Sequence, residues 1–380
     1  MRHSHSREQY LVIYPPPVSS QMGACRASLS LLFPAMRVSS AAQQYPMRES
    51  DLLRHIADRS GDLFGLSGAF GQVVVGPGDD CAVVRTASGN VLLLTVDQLV
   101  EGRHFEPGTS IDLIARKAVA RSVSDIAAMG GRPSWGLATG LLPDGFAHAD
   151  ELFDAMAKWA RHWGCPLIGG DIAFGTKEPA PEGRATRMPL SLTVTVCGWM
   201  EHGAAPLLRS GAQVGDELWL TGQVGGSFES GWHLRFEPRI EAGVAAAASG
   251  KVHAAIDLSD GLGRDAARVG DASGVRLEIF ASTLPISHRC ADWVHAVREG
   301  EDYELLLATG PTSLAHSEGH TGRTPGALAP VPPPFAAEPG LLGPIGRVRA
   351  CRAGETPGAT IIDAHGREHE AGEMGWDHGA

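Results

Sequence analysis

The sequence predicts an α/β protein built in two halves. Short β-branched apolar runs alternate with stretches of helical period, the alternation restarts after residues 205–215, and acidic residues recur beside glycines where apolar runs end. At 380 residues the chain can bury a substantial core and divide into two or three domains. The expected organisation is a leader over 1–46, one domain over 47–204 and a second over 205–380.

In chain order, residues 49–59 set Leu52, Leu53, Ile56 and Ala57 on one helical face. The run 72–75 meets the turn Gly76-Pro77-Gly78-Asp79-Asp80, and 81–84 resume as a strand. Residues 91–96 read as a buried strand ending at Asp97. Ser110 or Asp112 caps a helix reaching about Met129, where Gly130, Gly131 and Pro133 stop it. A strand over 134–142 and a helix over 150–163 follow, and 166–170 lead into Asp171. A polar loop over 176–189 precedes a strand over 190–199. In the second half, 217–221, 254–258, 275–280 and 304–308 read as extended and 263–272 as helical. Residues 311–344, rich in Pro, Gly and Ala without a sustained period, read as a loop or insertion.

Composition bounds the function. A formal net charge of −11 argues against a general nucleic-acid binder, which needs a basic face to neutralise phosphates. A nucleotide ligand stays open, because bound metal ions supply positive charge locally. No run approaches the roughly 18 apolar residues of a membrane-spanning helix. Six cysteines without Cys-x-x-Cys spacing suggest reduced, scattered thiols. A cytoplasmic enzyme with no membrane or nucleic-acid partner is therefore expected. The first 46 residues hold four arginines, one acid and Pro15-Pro16-Pro17. They read as a disordered tail, or as sequence upstream of a start at Met36 or Met47, in preference to a targeting segment.

The acids carry the chemistry. Asp79 and Asp80 lie in the Gly-Pro-Gly turn, Asp97 follows an apolar run, Asp171 follows Gly169-Gly170, and Asp257 and Asp260 follow Ala254-Ala255-Ile256. Acids at strand exits can project into one cleft where glycines admit bulky phosphates. Like charges gathered there need cations, and hard oxygen ligands suit Mg²⁺. For each acid alone, turn chemistry or helix capping explains its place equally well. The six together favour a metal-assisted phosphoryl transfer, whose catalysis is mainly positioning and charge neutralisation. No Gly-x-x-x-x-Gly-Lys-Ser/Thr, dinucleotide fingerprint, His-Arg-Asp or Asp-Phe-Gly appears, and Gly222-Gln-Val-Gly-Gly-Ser is at most a weak phosphate-loop signal.

Several segments resemble thiamine-monophosphate kinases. They are Gly78-Asp79-Asp80-Cys81-Ala82, residues 95–105, Ser124-Asp125-Ile126-Ala127-Ala128-Met129-Gly130, Gly169-Gly170-Asp171, Arg209-Ser210-Gly211-Ala212 and Asp257-Leu258-Ser259-Asp260-Gly261-Leu262. Gly300-Glu301-Asp302-Tyr303-Glu304-Leu305 and Gly375-Trp376-Asp377-His378 point to the thiamine branch of the wider aminoimidazole-ribonucleotide synthetase superfamily. The resemblance runs from about residue 48 to the end. It implies a two-domain α/β (α+β) fold of that superfamily, with N-terminal domains pairing into a β-barrel across a homodimer. It implies transfer of the ATP γ-phosphoryl group to thiamine monophosphate. By motif, it implies Mg²⁺ ligands at Asp80, Thr95, Val96 (through its carbonyl), Asp97, Asp125, Asp171, Asp257 and Asp260. ATP would meet Gly170, Asp171, Arg209 and Ser259, and thiamine monophosphate would meet His104, Glu301 and Trp376. No general base is implied.

These residue types suit those tasks. Arg209 can fork onto phosphate oxygens, although beside Ser-Gly it is equally a turn residue. Trp376 can stack under a cationic ring or simply anchor the C-terminus. Asp302 is expected to brace its loop. Arg121 stands four residues before Asp125 and reads as its ion-pair partner on a helix surface. Three departures stand out against the family pattern: Val96 for Thr, Ile172-Ala173-Phe174 for Thr-Thr-Arg, and Glu299 for Gly. They leave open another ATP-using enzyme of the superfamily, or a non-catalytic thiamine-phosphate or nucleotide binder.

Overall fold

A computed structural model describes residues 49–63, 65–175, 188–311 and 340–376. The leader over 1–46, Asp377 and His378, and the greater parts of the 176–189 and 311–344 segments lie outside the described residues. The chain from Pro46 onward forms one unit containing two seven-stranded sheets.

Helix α1 (Glu49–Arg59) precedes the first sheet, made of β1 (Ser67–Gly68), β2 (Gly71–Val75), β3 (Ala82–Thr86), β4 (Val91–Val100), β5 (Arg132–Leu142), β6 (Leu167–Phe174) and β7 (Ser191–Trp199). Their spatial order is β1-β2-β3-β4-β7-β5-β6. Among the described strands of this sheet only β5 and β6 pair in parallel, joined by the crossover helix α3 (Ala149–His162). Along β7, Leu192, Val194 and Val196 are buried and the residues between them are not, the period-2 pattern of a sheet packed on one face.

That buried face rests on α2 (Ile111–Ala128), where thirteen of eighteen residues are buried, Arg116 and Lys117 among them. A helix enclosed on nearly every side needs small, apolar residues all round rather than one apolar stripe. Accordingly α2 carries alanine at five positions. It packs against β4, β7 and α3, and also against elements of the second half, α4 (Ile240–Ser249) and β9 (Val252–Asp257). Where α4 crosses α2, a Cβ on Gly243 would lie 1.9 Å from the Ala127 carbonyl oxygen, so only glycine fits.

The second sheet has the order β14-β13-β10-β12-β8-β11-β9. Its remaining strands are β8 (Glu217–Leu220), β10 (Arg276–Phe280), β11 (Leu305–Thr309), β12 (Leu342–Arg349), β13 (Gly358–Ile362) and β14 (Glu368–Glu370). Every residue of β11 is buried, which explains the unbroken apolar run Leu305-Leu306-Leu307-Ala308 in an interior strand. Helices α5 (Leu262–Ser273) and α6 (Trp293–Arg298) follow β9 and β10.

The expected elements are present with three instructive differences. β4 does not end at Asp97, because pairing with β7 continues to Val100 opposite Ser191. Asp171 likewise lies inside β6, opposite Thr139 of β5. β12 begins at Leu342, within the segment read as a loop, because it finds partners in β8 and β10. Ser110 does precede α2, but its side chain makes no capping bond.

The outer face of the first sheet is apolar and exposed, with Val96, Trp135, Leu137 and Trp199 on it. The inner face of β4 holds Leu93, which is fully buried, and burying such a side chain stabilises by roughly 1.5–3 kcal/mol. Leu93→Ala should therefore cost about 3 kcal/mol, transfer and cavity effects together. Urea unfolding, read as a lower midpoint at unchanged slope, measures it.

Candidate active site

A cleft of about 910 Å³ is lined by the turn 77–80, β4, the middle of α2, and loops and helices of the second half. In β4, Thr95 and Asp97 share the inner face while the Val96 side chain points to the exposed outer face. From α2, Asp125 enters the cleft. The turn before β3 supplies Asp80, the end of β9 supplies Asp257, and the loop after β9 supplies Ser259 and Asp260.

Asp80, Asp125 and Asp257 each place a carboxylate oxygen within 4.8 Å of the others. Burial pushes all three carboxyls up, and the neighbouring acids push further: Asp97 and Asp257 on Asp125, and Asp80 on Asp257. At Asp80, Arg209 opposes that rise. Burial, then Asp80, raises Asp79 to about 7, and burial raises Asp265 to about 7. Asp80 Oδ2 is buried with no hydrogen-bond partner among the described residues. A triad of crowded oxygens, one of them orphaned, fits a hard divalent cation.

The cleft restrains these acids. Thr95 Oγ1 donates to Asp125 Oδ2, and Ser124 Oγ donates to Asp257 Oδ2 at 2.6 Å. The Arg209 Nε and Nη2 atoms donate to Asp80 Oδ1 at 3.1 and 2.5 Å, while the Arg209 backbone N–H donates to Asp79. Arg209 thus grips an acid as well as facing the cleft. Arg268 pairs with Asp260 at 2.6 Å and with Asp265 at 2.8 Å. Arg121 is not a surface partner of Asp125. Its side chain is 13% exposed, and it donates to Asp97 at 3.3 Å and to the Gln98 carbonyl at 2.7 Å.

The proposed substrate residues occupy the same cleft. His104 Nδ1 accepts the Val100 N–H at 2.9 Å, which leaves the ring proton on Nε2 when the ring is neutral. Glu301 has φ +68° and Tyr303 φ +53°, left-handed conformations that cost non-glycine residues about 1–3 kcal/mol each. The Glu301 and Tyr303 N–H groups donate to the Ser259 and Leu258 carbonyls at 2.8 and 2.9 Å, and Tyr303 stacks on Phe236. The Trp376 backbone N–H donates to the Asp260 carbonyl at 2.9 Å, which anchors the end of the chain there, and the ring, 54% exposed, lines the cleft.

Gly170 and Asp171 do not join the others. They sit on the edge strand β6, three strand positions from β4 and so about 14 Å away across the sheet, and they are absent from the cleft wall. The Gly222–Ser227 loop is no phosphate cradle either. The Gly225 N–H donates to Asp302 at 3.0 Å, and those of Gly226 and Phe228 donate to Glu299 at 2.7 and 2.9 Å. Asp302 braces that loop as expected, and Glu299 joins it.

Sequence reasoning missed Ser124, Arg268 and the inward turn of Arg121. Ser124 adjoins Asp125 in the quoted motif, and Arg268 follows Asp265 at i+3 on α5, so both had a local signal.

The family model for the N-terminal domain of AIR synthase related proteins matches residues 78–200, the stretch that carries β3 to β7 and Asp80, Thr95, Asp97 and Asp125 of the cleft. The chain is 37% identical over 263 residues to the thiamine-monophosphate kinase of Rhodopirellula baltica, covering 64% of this chain and 78% of that protein. It is 33% identical over 264 residues to that of Escherichia coli K12, covering 62% and 76%. The chain belongs to the thiamine-monophosphate kinase family. The solved kinase from Stenotrophomonas maltophilia K279a superposes with TM-score 0.55 at 27% identity, covering 82% of this chain and 94% of that one. A structure described as AaThiL complexed with AMPPCP and TMP shares the fold at TM-score 0.66 and 24% identity, covering 90% and 100%.

The raised carboxyls give a pH dependence with a definite sign. A carboxyl whose folded pKa is raised stabilises below its unfolded value, and that contribution is lost as pH rises through the folded value. With divalent cations chelated, the melting temperature should fall as pH climbs from about 4 past 7, where Asp79 and Asp265 ionise. Added Mg²⁺ should raise the melting temperature more at pH 8 than at pH 5.5. Scanning fluorimetry with chelator or MgCl₂ reads both effects, and equal shifts at the two pH values would contradict a carboxylate site.

Proposed function

We propose that this chain is a thiamine-monophosphate kinase, transferring the γ-phosphoryl group of ATP to thiamine monophosphate to give thiamine diphosphate and ADP. One observation carries this: the Asp80, Asp125 and Asp257 cluster opens into the cleft that also holds His104, Glu301 and Trp376. Family membership supports it, as does the neighbour solved with AMPPCP and TMP.

Asp80, Asp125 and Asp257 would hold Mg²⁺, with Thr95, the Val96 carbonyl, Asp97 and Asp260 completing the ligand sets and Asp171 able to join only from a second copy of the chain. Bound there, the metal would neutralise charge on the phosphates of both substrates. Arg209 and Ser259 face the same space and would orient the nucleotide, Arg209 by turning part of its fork from Asp80 to phosphate oxygens. His104 would donate from Nε2 to the acceptor phosphate. Glu301 and Trp376 would hold the cationic thiamine rings, the carboxylate by charge and the indole by its face. The acceptor phosphate is already anionic near neutral pH, so in-line attack needs no general base.

The homodimer belongs to this proposal. The apolar outer face of the first sheet suits a second copy of the chain. Ile172 and Phe174, where the family pattern has polar residues, are exposed on the edge strand β6 but share the face of Gly140 and Leu142, opposite to it. Gly170 and Asp171 stand too far from their own cleft to serve it. Pairing through this face would carry them to the partner's nucleotide.

Residues 47–380 with ATP, Mg²⁺ and thiamine monophosphate should yield thiamine diphosphate and ADP in equal amounts by chromatography, and none with chelator. Asp97→Asn and Asp260→Asn should each lower turnover at least about a hundredfold, the scale of losing one preorganised charge contact. Intact turnover in both would sink the metal-cluster mechanism. Leu137→Glu should turn a dimer into a monomer by light scattering; a wild-type chain already monomeric would remove the dimer.

A further inference from the structure

Lys117 lies on α2 with its side chain 0% exposed, and nothing above gives it a task. Its ammonium has three N–H groups and meets three acceptors. These are the His104 carbonyl oxygen at 2.5 Å, His233 Nδ1 at 2.7 Å and Glu301 Oε2. With the lysine charged, His233 must accept at Nδ1 and carry its proton on Nε2. His233 is buried and stacks on Phe228 with ring centroids 4.4 Å apart. Glu301 Oε2 also lies 3.0 Å from His233 Nδ1, since both atoms converge on the same ammonium. That contact occupies one carboxylate oxygen and leaves Oε1 for the cleft.

The pairing also settles charge. Burial alone would raise the Glu301 carboxyl, yet Lys117, with Arg121, holds it down at about 2. Burial lowers Lys117 to about 8, with Glu301 resisting, so both stay ionised near pH 7. The Glu301 backbone, meanwhile, is left-handed and tied by the Ser227 hydroxyl at 2.7 Å to its carbonyl. Main chain and side chain are thus both fixed, the side chain from the opposite half of the molecule.

We propose that Lys117 is a positioning residue for the acceptor substrate: anchored by the His104 carbonyl and the His233 ring, its ammonium presents Glu301 Oε1 to the cationic rings of thiamine monophosphate. Lys117 touches neither substrate, and its effect runs through Glu301. The inference rests on the kinase reading above and adds a residue to it.

The test is steady-state kinetics on the full chain for wild type, Lys117→Met, Glu301→Gln and the double variant, with both Michaelis constants measured. Lys117→Met should raise KM for thiamine monophosphate about tenfold or more while KM for ATP stays within about twofold. The double variant should match Glu301→Gln. A purely structural role would move both Michaelis constants together, and an independent role would make the double variant about tenfold worse than Glu301→Gln; either result overturns the proposal. Removing one partner of a buried pair leaves a costly lone charge, so Lys117→Met is the variant most exposed to misfolding. If it does not fold, the double variant, which leaves no lone charge, decides alone: a match with Glu301→Gln supports the proposal and a further tenfold loss ends it. A wild-type chain that makes no thiamine diphosphate would instead remove the kinase reading, before any variant is compared.

Discussion

Repulsion among carboxylates in a cleft of low dielectric is the constraint to which the rest of this structure answers. Asp80, Asp125 and Asp257 crowd within 4.8 Å, and Asp97 and Asp260 line the same space. Uncompensated, such a set would favour opening the cleft to water. Arginines are placed against it from three directions, with Arg209 on Asp80, Arg121 on Asp97 and Arg268 on Asp260. Hydroxyls of Thr95 and Ser124 take one oxygen each from Asp125 and Asp257. Every acid of the cluster comes from a strand, a helix or the loop next to one, so the backbone ladder keeps the charges together.

The second organising feature is α2. A helix with one wet face would have held the first sheet only. By burying thirteen of eighteen residues, α2 becomes common property of both halves. It sends Asp125 to the acids, Ser124 to Asp257 of β9, and Arg116 to Glu237 and the Leu234 carbonyl beyond β8. Its five alanines, with the buried Arg116 and Lys117 held by partners, are the sequence record of that enclosure.

Much of this was legible beforehand. Period and punctuation located the long strands, α2, α3 and α5, because each buries one face or a whole run and ends in turn-forming residues. α4, rich in alanine, and six-residue α6 gave little periodic signal. The order of acidic motifs marked Asp80, Asp97, Asp125, Asp257 and Asp260 as one group, and the structure gathers them in one cleft. What stayed hidden was pairing at long range. β4 continues past Asp97 because of a strand almost a hundred residues later, and no local pattern says so. The same limit explains Arg121, read as a helix-surface residue until the sheet covers that surface. Asp171 is a different case: its motif was visible, but strand order puts it on the far edge of the sheet.

The crossing of α4 over α2 at Gly243 bears on how the molecule can move. Packed helices slide past one another by small rotamer adjustments of the side chains between them. At this crossing one backbone lies directly on another, with the space of a single methyl group missing, so that give is absent. Sliding of one half along the other is therefore resisted at this crossing, and any side chain at position 243 would push the two backbones apart.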